Sequence, residues 1–172
     1  LTDALVRRPE QWRDVAEASI DDESTLRAAI SDEVGTSVGD EARDLLRVAY
    51  RRQLMRIAAV DVSGDSIEQL PVVAQALAEL AGAALQTALD IAAREYNDSD
   101  KCRLTVIAMG KCGARELNYI SDVDVIFVAE PADGADEDDV NAIYDRGILT
   151  VSVPLSDENR MEKHIEVVEI VG

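Results

Sequence analysis

Two aspartates near the middle of the chain have a residue type and spacing suited to binding a metal. Asp122 and Asp124 are separated by one valine. Because successive side chains of a strand point to opposite faces, a strand here would place both carboxylates on one face, with Cα atoms roughly 6.5–7 Å apart. Carboxylates at that separation can hold one divalent cation or bridge two, and the cation offsets their repulsion. We therefore expect both to be metal ligands; the alternative is a solvated strand end.

A glycine loop precedes the two aspartates. Gly110 and Gly113 bracket Lys111 and Cys112, and this spacing lets the backbone turn tightly and direct N–H groups toward an anion. Lys111 would add a positive charge. One helical turn, predicted from Ala114 to Tyr119, would direct its N-terminal N–H groups toward the same anion. The loop therefore predicts an anion site, although a lysine in such a turn is equally typical of a solvated charge.

Two strands have to position this loop. Residues 104–109 are mostly apolar or β-branched and predict a fully buried strand. Ser121 ends the predicted helical turn as a turn or cap residue. The second strand begins at Asp122, and Ile126 and Val128 share the face of the two aspartates. A strand, a glycine loop, a short helical turn and a second strand are thus predicted in succession.

The stretch MGKCGARELNYISDVDVIFV, residues 109–128, resembles the nucleotidyltransferase signature of the bacterial glutamine synthetase adenylyltransferase family, whose two-headed members also remove adenylyl groups. It is similar, more broadly, to the DNA polymerase beta-like superfamily pattern of Gly followed by Gly or Ser and then Asp-x-Asp between apolar residues. Ala114 departs from that pattern because it has a backbone N–H but no hydroxyl, so a phosphate contact there has to be main-chain. The motif most resembles that of the N-terminal, adenylyl-removing head of actinobacterial members.

The resemblance implies an activity and the residues that carry it. Inorganic phosphate would attack the phosphorus of adenylyl-tyrosine on glutamine synthetase and release ADP, in the control of nitrogen assimilation. Asp122 and Asp124 would be catalytic and would hold Mg²⁺ or Mn²⁺, which neutralises charge on the transferring group. The nucleotide, ADP or ATP, would be bound by Gly110, Lys111, Gly113, Ala114, Arg115 and Ser121. A nitrogen-signalling regulatory protein is a further implied partner, and an ion pair with an acid such as Glu116 is the alternative role of Arg115.

Composition narrows the class of protein. The chain has 172 residues, of which 47% are hydrophobic, and a formal net charge of −18. That charge argues against binding to a nucleic-acid backbone. Cys102 and Cys112 form no CxxC motif, which argues against a zinc site or disulfide framework and favours a reducing cytoplasm. We find no apolar run approaching the roughly 18–20 residues of a membrane span and no signal pattern, so we expect no membrane partner.

The residues before the motif predict helices. Short amphipathic pieces occupy 11–20 and 24–30, the second preceded by acids that suit a helix N-terminus. From 40 to about 62, apolar residues recur at three- and four-residue steps, and the other side carries arginines that either pair with acids or contact an anion or partner. A longer apolar helix follows at about 66–96. The two long helices should pack antiparallel through small alanines.

The end of the chain differs in character. Residues 131–142 are acidic and predict a flexible linker. The stretch from Ala142 to Leu149 resembles the small heat-shock (alpha-crystallin) family signature, and Ile165 to Val167 resembles that family's C-terminal tail, which docks on a neighbouring subunit. Strands are predicted at 148–153 and 165–171. The alternative function is therefore a holdase-like chain that oligomerises through this tail.

Together the patterns predict an α+β protein with four parts: a helical region at 1–98, a truncated nucleotidyltransferase motif at 99–130 that starts a DNA polymerase beta-like sheet, an acidic linker at 131–142 and a β tail at 143–172. Residue 1 is leucine, so we expect a fragment of a longer protein. Glu166 and Glu169 are weak substitutes for the superfamily's third carboxylate, so we expect little or no turnover by this chain alone. A helical interaction module with a vestigial site is the remaining alternative.

Overall fold

A computed structural model of the chain describes residues 6, 9, 16–64, 66–95, 102–131, 141–145 and 148–152. Its elements follow in this order: α1 (Glu23–Val34), α2 (Gly39–Ser63), α3 (Ser66–Glu95), β1 (Cys102–Ala108), the single helical turn α4 (Gly110–Gly113), β2 (Val125–Pro131), β3 (Asn141–Asp145) and β4 (Ile148–Ser152). The predicted α+β class is confirmed, since a helical region comes first and small two-stranded sheets follow.

Helix α1 begins and ends at residues whose chemistry sets its bounds. The Asp22 carboxylate accepts hydrogen bonds from the Thr25 backbone N–H at 2.8 Å and from the Ser24 hydroxyl at 2.7 Å. These bonds, with that from Ser24 the larger cause, lower the pKa of Asp22. At the other end Gly35 adopts a φ of 56° and donates its N–H to the Ser31 carbonyl at 2.8 Å. The predicted acidic start of this helix is therefore confirmed.

The buried residues of the three long helices form one apolar cluster. Ile30 of α1 and Leu80 of α3 have no exposed surface, and Ile57 of α2 is 2% exposed. Small side chains supply much of the remainder, as expected from a sequence poor in aromatic residues: Ala42, Ala49, Ala76, Ala78, Ala81, Ala83 and Ala84. Cys112 and Leu117 also belong to the cluster. The residues that follow β1 therefore contribute to the helical core.

The basic side of α2 is largely neutralised by neighbouring acids. Two pairs lie within α2 itself and two connect α2 to residues at or before α1: Arg43–Asp40 at 3.0 Å, Arg47–Asp44 at 2.9 Å, Arg52–Glu33 at 2.7 Å and Arg56–Asp21 at 3.0 Å. Of the two roles left open for these arginines, the structure supports pairing with acids.

Helix α3 is long and apolar enough, by length and composition, to cross a membrane. An 18-residue window within 67–95 is apolar enough for this, so the expectation that no apolar run approaches a span is wrong. Half of the window is buried inside the protein, and Leu80 lies at the centre of the helical cluster. The core helix of a soluble protein can be equally long and apolar, because burial among helices also selects apolar side chains.

The strands form two separate pairs. β1 is hydrogen-bonded to β2, and β3 pairs antiparallel with β4, with Asn141 opposite Ser152 and Asp145 opposite Ile148. The strand predicted at 148–153 is thereby confirmed as β4, whereas the extended piece predicted at 165–171 lies outside the described residues.

Burial alternates along the first pair of strands. In β1, Leu104 and Val106 are half-buried while Thr105 and Ile107 are exposed, so the predicted fully buried strand is wrong. In β2, the side chains of residues 125, 127 and 129 are half-buried and those of Ile126 and Val128 are exposed. The predicted alternation of β2 is therefore confirmed. A sheet with few strands and little cover leaves half of each strand in water.

The chain divides into two compact units. One contains residues 1–91 and 108–124, and the other contains residues 92–107 and 125–172. The glycine loop and both aspartates are thus grouped with the long helices, and β1 and β2 belong to the other unit apart from Ala108.

Candidate functional site

The helical turn of the glycine loop lies earlier in the sequence than predicted. The turn is α4, Gly110–Gly113, and the expected turn from Ala114 to Tyr119 is absent. Gly110 adopts a φ of 52°, which glycine reaches without steric cost. Backbone N–H groups at the end of the turn and after it donate to carbonyls at its start: Gly113 to Met109 at 2.9 Å, Ala114 to Gly110 at 3.0 Å and Glu116 to Lys111 at 2.8 Å. The N–H of Ala114, predicted to contact phosphate, is thus already hydrogen-bonded within the loop.

At both loop glycines, neighbouring atoms leave no room for a side chain. A Cβ added to Gly110 would lie 2.7 Å from Oδ2 of Asp124, and a Cβ added to Gly113 would overlap the carbonyl oxygen of Ala108. Asp124 is held at this position by its own backbone, because its carbonyl accepts a hydrogen bond from the Met109 N–H at 2.8 Å. The loop and the second aspartate therefore form one compact arrangement.

Asp122 and Asp124 lie in the segment before β2, which begins at Val125. The prediction that both aspartates belong to the second strand is wrong, because the strand starts three residues later than predicted and one residue after Asp124. Both side chains are exposed. Within the described part of the chain, neither carboxylate has a hydrogen bond or an ion pair with a protein group. Two uncompensated neighbouring carboxylates are electrostatically suited to a cation.

The donor set fits a divalent cation in part. Among the described residues, no group of three or more His, Cys, Asp or Glu side chains could hold a metal ion. Mg²⁺ commonly takes only one or two carboxylates from the protein and completes its shell with water and substrate phosphates. The two hard oxygen donors of Asp122 and Asp124 match that mode of binding, with the glycine at 110 leaving space beside the Asp124 carboxylate.

Cys112 anchors the turn and is no metal or redox candidate here. Its side chain is 5% exposed and packs in the helical cluster with Leu117. Burial, and then the negative charge of Asp124, raise the pKa of the Cys112 thiol. Burial, and then Cys112, likewise raise the pKa of Tyr50 on α2. Cys112 is therefore a neutral core side chain, a role that sequence reasoning missed because the glycine spacing predicts a turn and not the burial of the side chain within it.

Arg115 is paired with acids of two helices. Its guanidinium lies 3.6 Å from Glu79 of α3 and 3.7 Å from Glu23 of α1. Its φ of 60° is the one positive value among the described non-glycine residues. An ion pair was the alternative to nucleotide binding, but the acids involved are distant in sequence, whereas Glu116 was the acid considered. No local signal identifies Glu23 or Glu79 as partners.

The remaining residues of the segment are ordered by turns and one long-range hydrogen bond. The Tyr119 hydroxyl donates to Oδ2 of Asp61 on α2 at 3.0 Å. Ser121 donates its N–H to the Asn118 carbonyl at 3.2 Å, as expected of a turn residue, and its buried hydroxyl has no partner among the described residues. The Lys111 side chain is exposed. The structure therefore brings Gly110, Gly113 and Asp124 together, and it leaves Lys111 in solvent.

Comparison with known proteins identifies one family. The family model described as glutamate-ammonia ligase adenylyltransferase matches residues 1–147. Among curated proteins, a bifunctional glutamine synthetase adenylyltransferase/adenylyl-removing enzyme from Streptomyces avermitilis is 48% identical over 139 residues, covering 80% of this chain and 13% of the relative. The proteins of the same name from Nocardia farcinica and Mycobacterium avium are 55% identical over 102 residues and 43% identical over 143 residues.

The matched region is a small part of these relatives. It covers 55% of this chain and 10% of the Nocardia protein, and 77% of this chain and 14% of the Mycobacterium protein. No solved structure matches the chain. The family match extends through residues 142–147, which belong to the stretch that resembled small heat-shock proteins, and the comparisons give that alternative no support.

Proposed function

This chain belongs to the glutamate-ammonia ligase adenylyltransferase family, and on that premise we propose that it carries part of the nucleotidyltransferase site that removes AMP from adenylyl-tyrosine of glutamine synthetase. The observation that carries the proposal is the exposed Asp124 carboxylate lying against Gly110 of the glycine loop, with the exposed Asp122 two residues before it. Neither carboxylate has a hydrogen bond or an ion pair among the residues that the structure describes. Glutamine synthetase is part of the relatives' names, and it is the partner that we propose.

In the proposed reaction an oxygen of inorganic phosphate forms a bond to the adenylyl phosphorus. The bond between that phosphorus and the tyrosine oxygen breaks, ADP leaves, and the tyrosine oxygen takes up a proton. Bound Mg²⁺ or Mn²⁺ supplies neutralisation of the charge on the transferring group. Asp122 and Asp124 would hold the cation through their carboxylate oxygens. Proximity and orientation supply most of the remaining catalysis in such transfers.

The loop residues have separate tasks in this proposal. Gly110 keeps the space beside the Asp124 carboxylate free. Lys111, whose side chain is exposed at the turn, would bring a positive charge to the phosphates. Gly113 lets the turn close against the Ala108 carbonyl. Ala114, Arg115 and Ser121 complete the set of residues that we propose for the nucleotide site. The Ala114 N–H and the Arg115 guanidinium already have partners within the protein, so these two residues contribute by shaping the loop rather than by contact with the nucleotide.

We propose a cytoplasmic location and a nitrogen-signalling regulatory partner on the same family grounds. Because the chain spans 10–14% of the length of the relatives described above, complete turnover is proposed for the longer family protein and little or none for this chain.

Calorimetric titration of Mn²⁺ with ADP into the chain tests the proposal. We expect binding in the unmodified chain and its loss in an Asp122→Asn, Asp124→Asn double variant, because the two oxygen donors are then uncharged. An Asp40→Asn, Asp44→Asn double variant is the matched control, since it removes the same charge from exposed positions of α2. Equal binding by all three chains, or absence of binding by the unmodified chain, would contradict the proposed site.

A further inference from the structure

Three side-chain contacts connect the segment that carries the aspartates, residues 109–124, to the three long helices. Arg115 reaches Glu23 of α1 at 3.7 Å and Glu79 of α3 at 3.6 Å. Tyr119 donates its hydroxyl hydrogen bond to Asp61 of α2 at 3.0 Å. Each helix therefore provides one acid to this segment, and each acid is far from the segment in sequence.

We propose that Arg115 and Tyr119 are positioning residues that hold the segment 109–124 on the helices, so that Asp122 and Asp124 keep the geometry required for a metal–nucleotide complex. The inference rests on the function proposed above. Neither residue is assigned contact with the reacting atoms. Both act through the backbone that carries the two aspartates.

The burial of the segment explains why polar contacts are needed in addition to apolar ones. Cys112 and Leu117 are both 5% exposed and fasten the segment to the helical cluster. Apolar packing is non-directional, so it sets the depth of a segment more firmly than its rotation. A hydrogen bond such as that of Tyr119 has a preferred direction, and an ion pair such as that of Arg115 favours the position that brings the two charges together. Arg115 and Tyr119 stand two residues before and two residues after Leu117, where such contacts fix the orientation of the segment around its buried anchor.

The backbone conformation of Arg115 supports the view that its ion pairs hold the segment in place. A φ of 60° is unfavourable for a residue with a Cβ, and such conformations persist when the surroundings over-determine them. Glu79 is the stronger of the two partners, because its side chain is 11% exposed whereas that of Glu23 is 59% exposed. Water screens the exposed pair more than the covered one. Glu79 is therefore the acid through which Arg115 holds the segment.

Backbone hydrogen exchange of the full chain without ligand tests the positioning role directly. The N–H groups of Met109 and Glu116 are suitable reporters, because they donate to the Asp124 and Lys111 carbonyls. We expect their exchange to accelerate about tenfold in Arg115→Gln and in Tyr119→Phe, as local opening becomes easier. Arg56→Gln is the matched control, since it breaks an ion pair of α2 that does not involve the segment. Its reporters should exchange at the unmodified rate.

Binding of Mn²⁺ with ADP provides the second readout. We expect Arg115→Gln and Tyr119→Phe to weaken it about tenfold, the size of effect seen when groups that orient ligands are removed, while Arg56→Gln leaves it unchanged. Arg115→Lys, which keeps the charge, should recover most of the affinity. If Arg115→Gln fails to fold, Glu79→Gln removes the same ion pair and leaves the backbone at Arg115 intact.

The outcomes separate this inference from the proposed function. Accelerated exchange in the segment together with no Mn²⁺–ADP binding by the unmodified chain would support positioning and contradict the proposed site. Binding by the unmodified chain with unchanged exchange and unchanged affinity in the variants would support the site and overturn the positioning role. An equal effect of Arg56→Gln would also overturn it, because the change would then be a general loss of stability.

Discussion

Gly110 lies so close to Asp124 that a methyl group on its Cα would be 2.7 Å from the carboxylate oxygen Oδ2. This contact joins the first glycine of the loop to the second aspartate across fourteen positions of sequence, and the Met109–Asp124 backbone hydrogen bond of 2.8 Å holds the two sides together. A change at either residue therefore displaces the other. The first prediction follows from that relationship.

Gly110→Ala should weaken the binding of Mn²⁺ with ADP and destabilise the chain. The added Cβ displaces the Asp124 carboxylate, and a residue with a Cβ at a φ of 52° costs about 1–2 kcal/mol in free energy of unfolding. Calorimetry and urea denaturation measure the two effects. Gly82→Ala is the control: Gly82 lies inside α3 with no atom within 4 Å of an added Cβ, so about 0.5–1 kcal/mol of stabilisation is expected. Stabilisation by both variants would contradict the contact.

The helical core should depend strongly on Leu80. Its side chain has no exposed surface, and Leu80→Ala removes buried methyl groups and leaves a cavity, at a cost of about 2–5 kcal/mol in free energy of unfolding. Leu70→Ala on the same helix, where the side chain is 65% exposed, should change stability by less than about 0.5 kcal/mol. Urea denaturation of both variants measures the difference. Similar losses would show that α3 is not packed as described.

Alkaline pH should destabilise the fold through one buried thiol and two partly buried phenol groups. Burial raises the pKa of Cys112, Tyr50 and Tyr119, so the folded chain retains protons that the unfolded chain releases. Stability from these groups is present below their ordinary pKa values and decreases as the pH rises above about 8.5–10. Denaturation midpoints measured across this range should fall. Tyr50→Phe and Tyr119→Phe should each make the decline shallower, and an unchanged slope in both would oppose this explanation.

The chain by itself should release little or no ADP from adenylylated glutamine synthetase and phosphate. The described residues provide two exposed carboxylates and no cluster of three metal-binding side chains, while phosphoryl transfer depends on complete charge neutralisation and positioning. A coupled assay for ADP, with the Streptomyces avermitilis relative as the positive control, measures the activity. Substantial ADP from this chain would show that two carboxylates are sufficient.

Much of the architecture could be predicted from local patterns. The bounds of α1, α2 and α3 follow from acidic starts, glycine breaks and apolar periodicity, and the motif at 109–128 identified the family that the comparisons show. The alternation of β2 and the position of β4 were also confirmed. The role of the proposed metal and nucleotide residues, the boundaries of the four predicted parts and the cellular compartment stay predictions.

The predictions that proved wrong concern local patterns that are compatible with two different structures. The apolar run at β1 was predicted to be buried on both faces, but one of its faces is exposed. The periodicity of a strand does not show how many faces of its sheet are covered. The helical turn occupies Gly110–Gly113 because a positive φ at Gly110 and carbonyl acceptors at Met109 and Gly110 close it there. An apolar helix of membrane-spanning composition proved to contain the core residues of the helical region.

The sequence by itself determined the class of the protein and its family, because both are encoded in residues that are near one another along the chain. Only the tertiary structure decided which distant acids meet Arg115 and Tyr119, and that Cys112 and Leu117 belong to the helical core. Such contacts depend on how helices separated by long stretches of chain pack together. Glu79 and Asp61 reach the segment only because the helices that carry them pack against it, so the local spacing of residues could not predict these contacts.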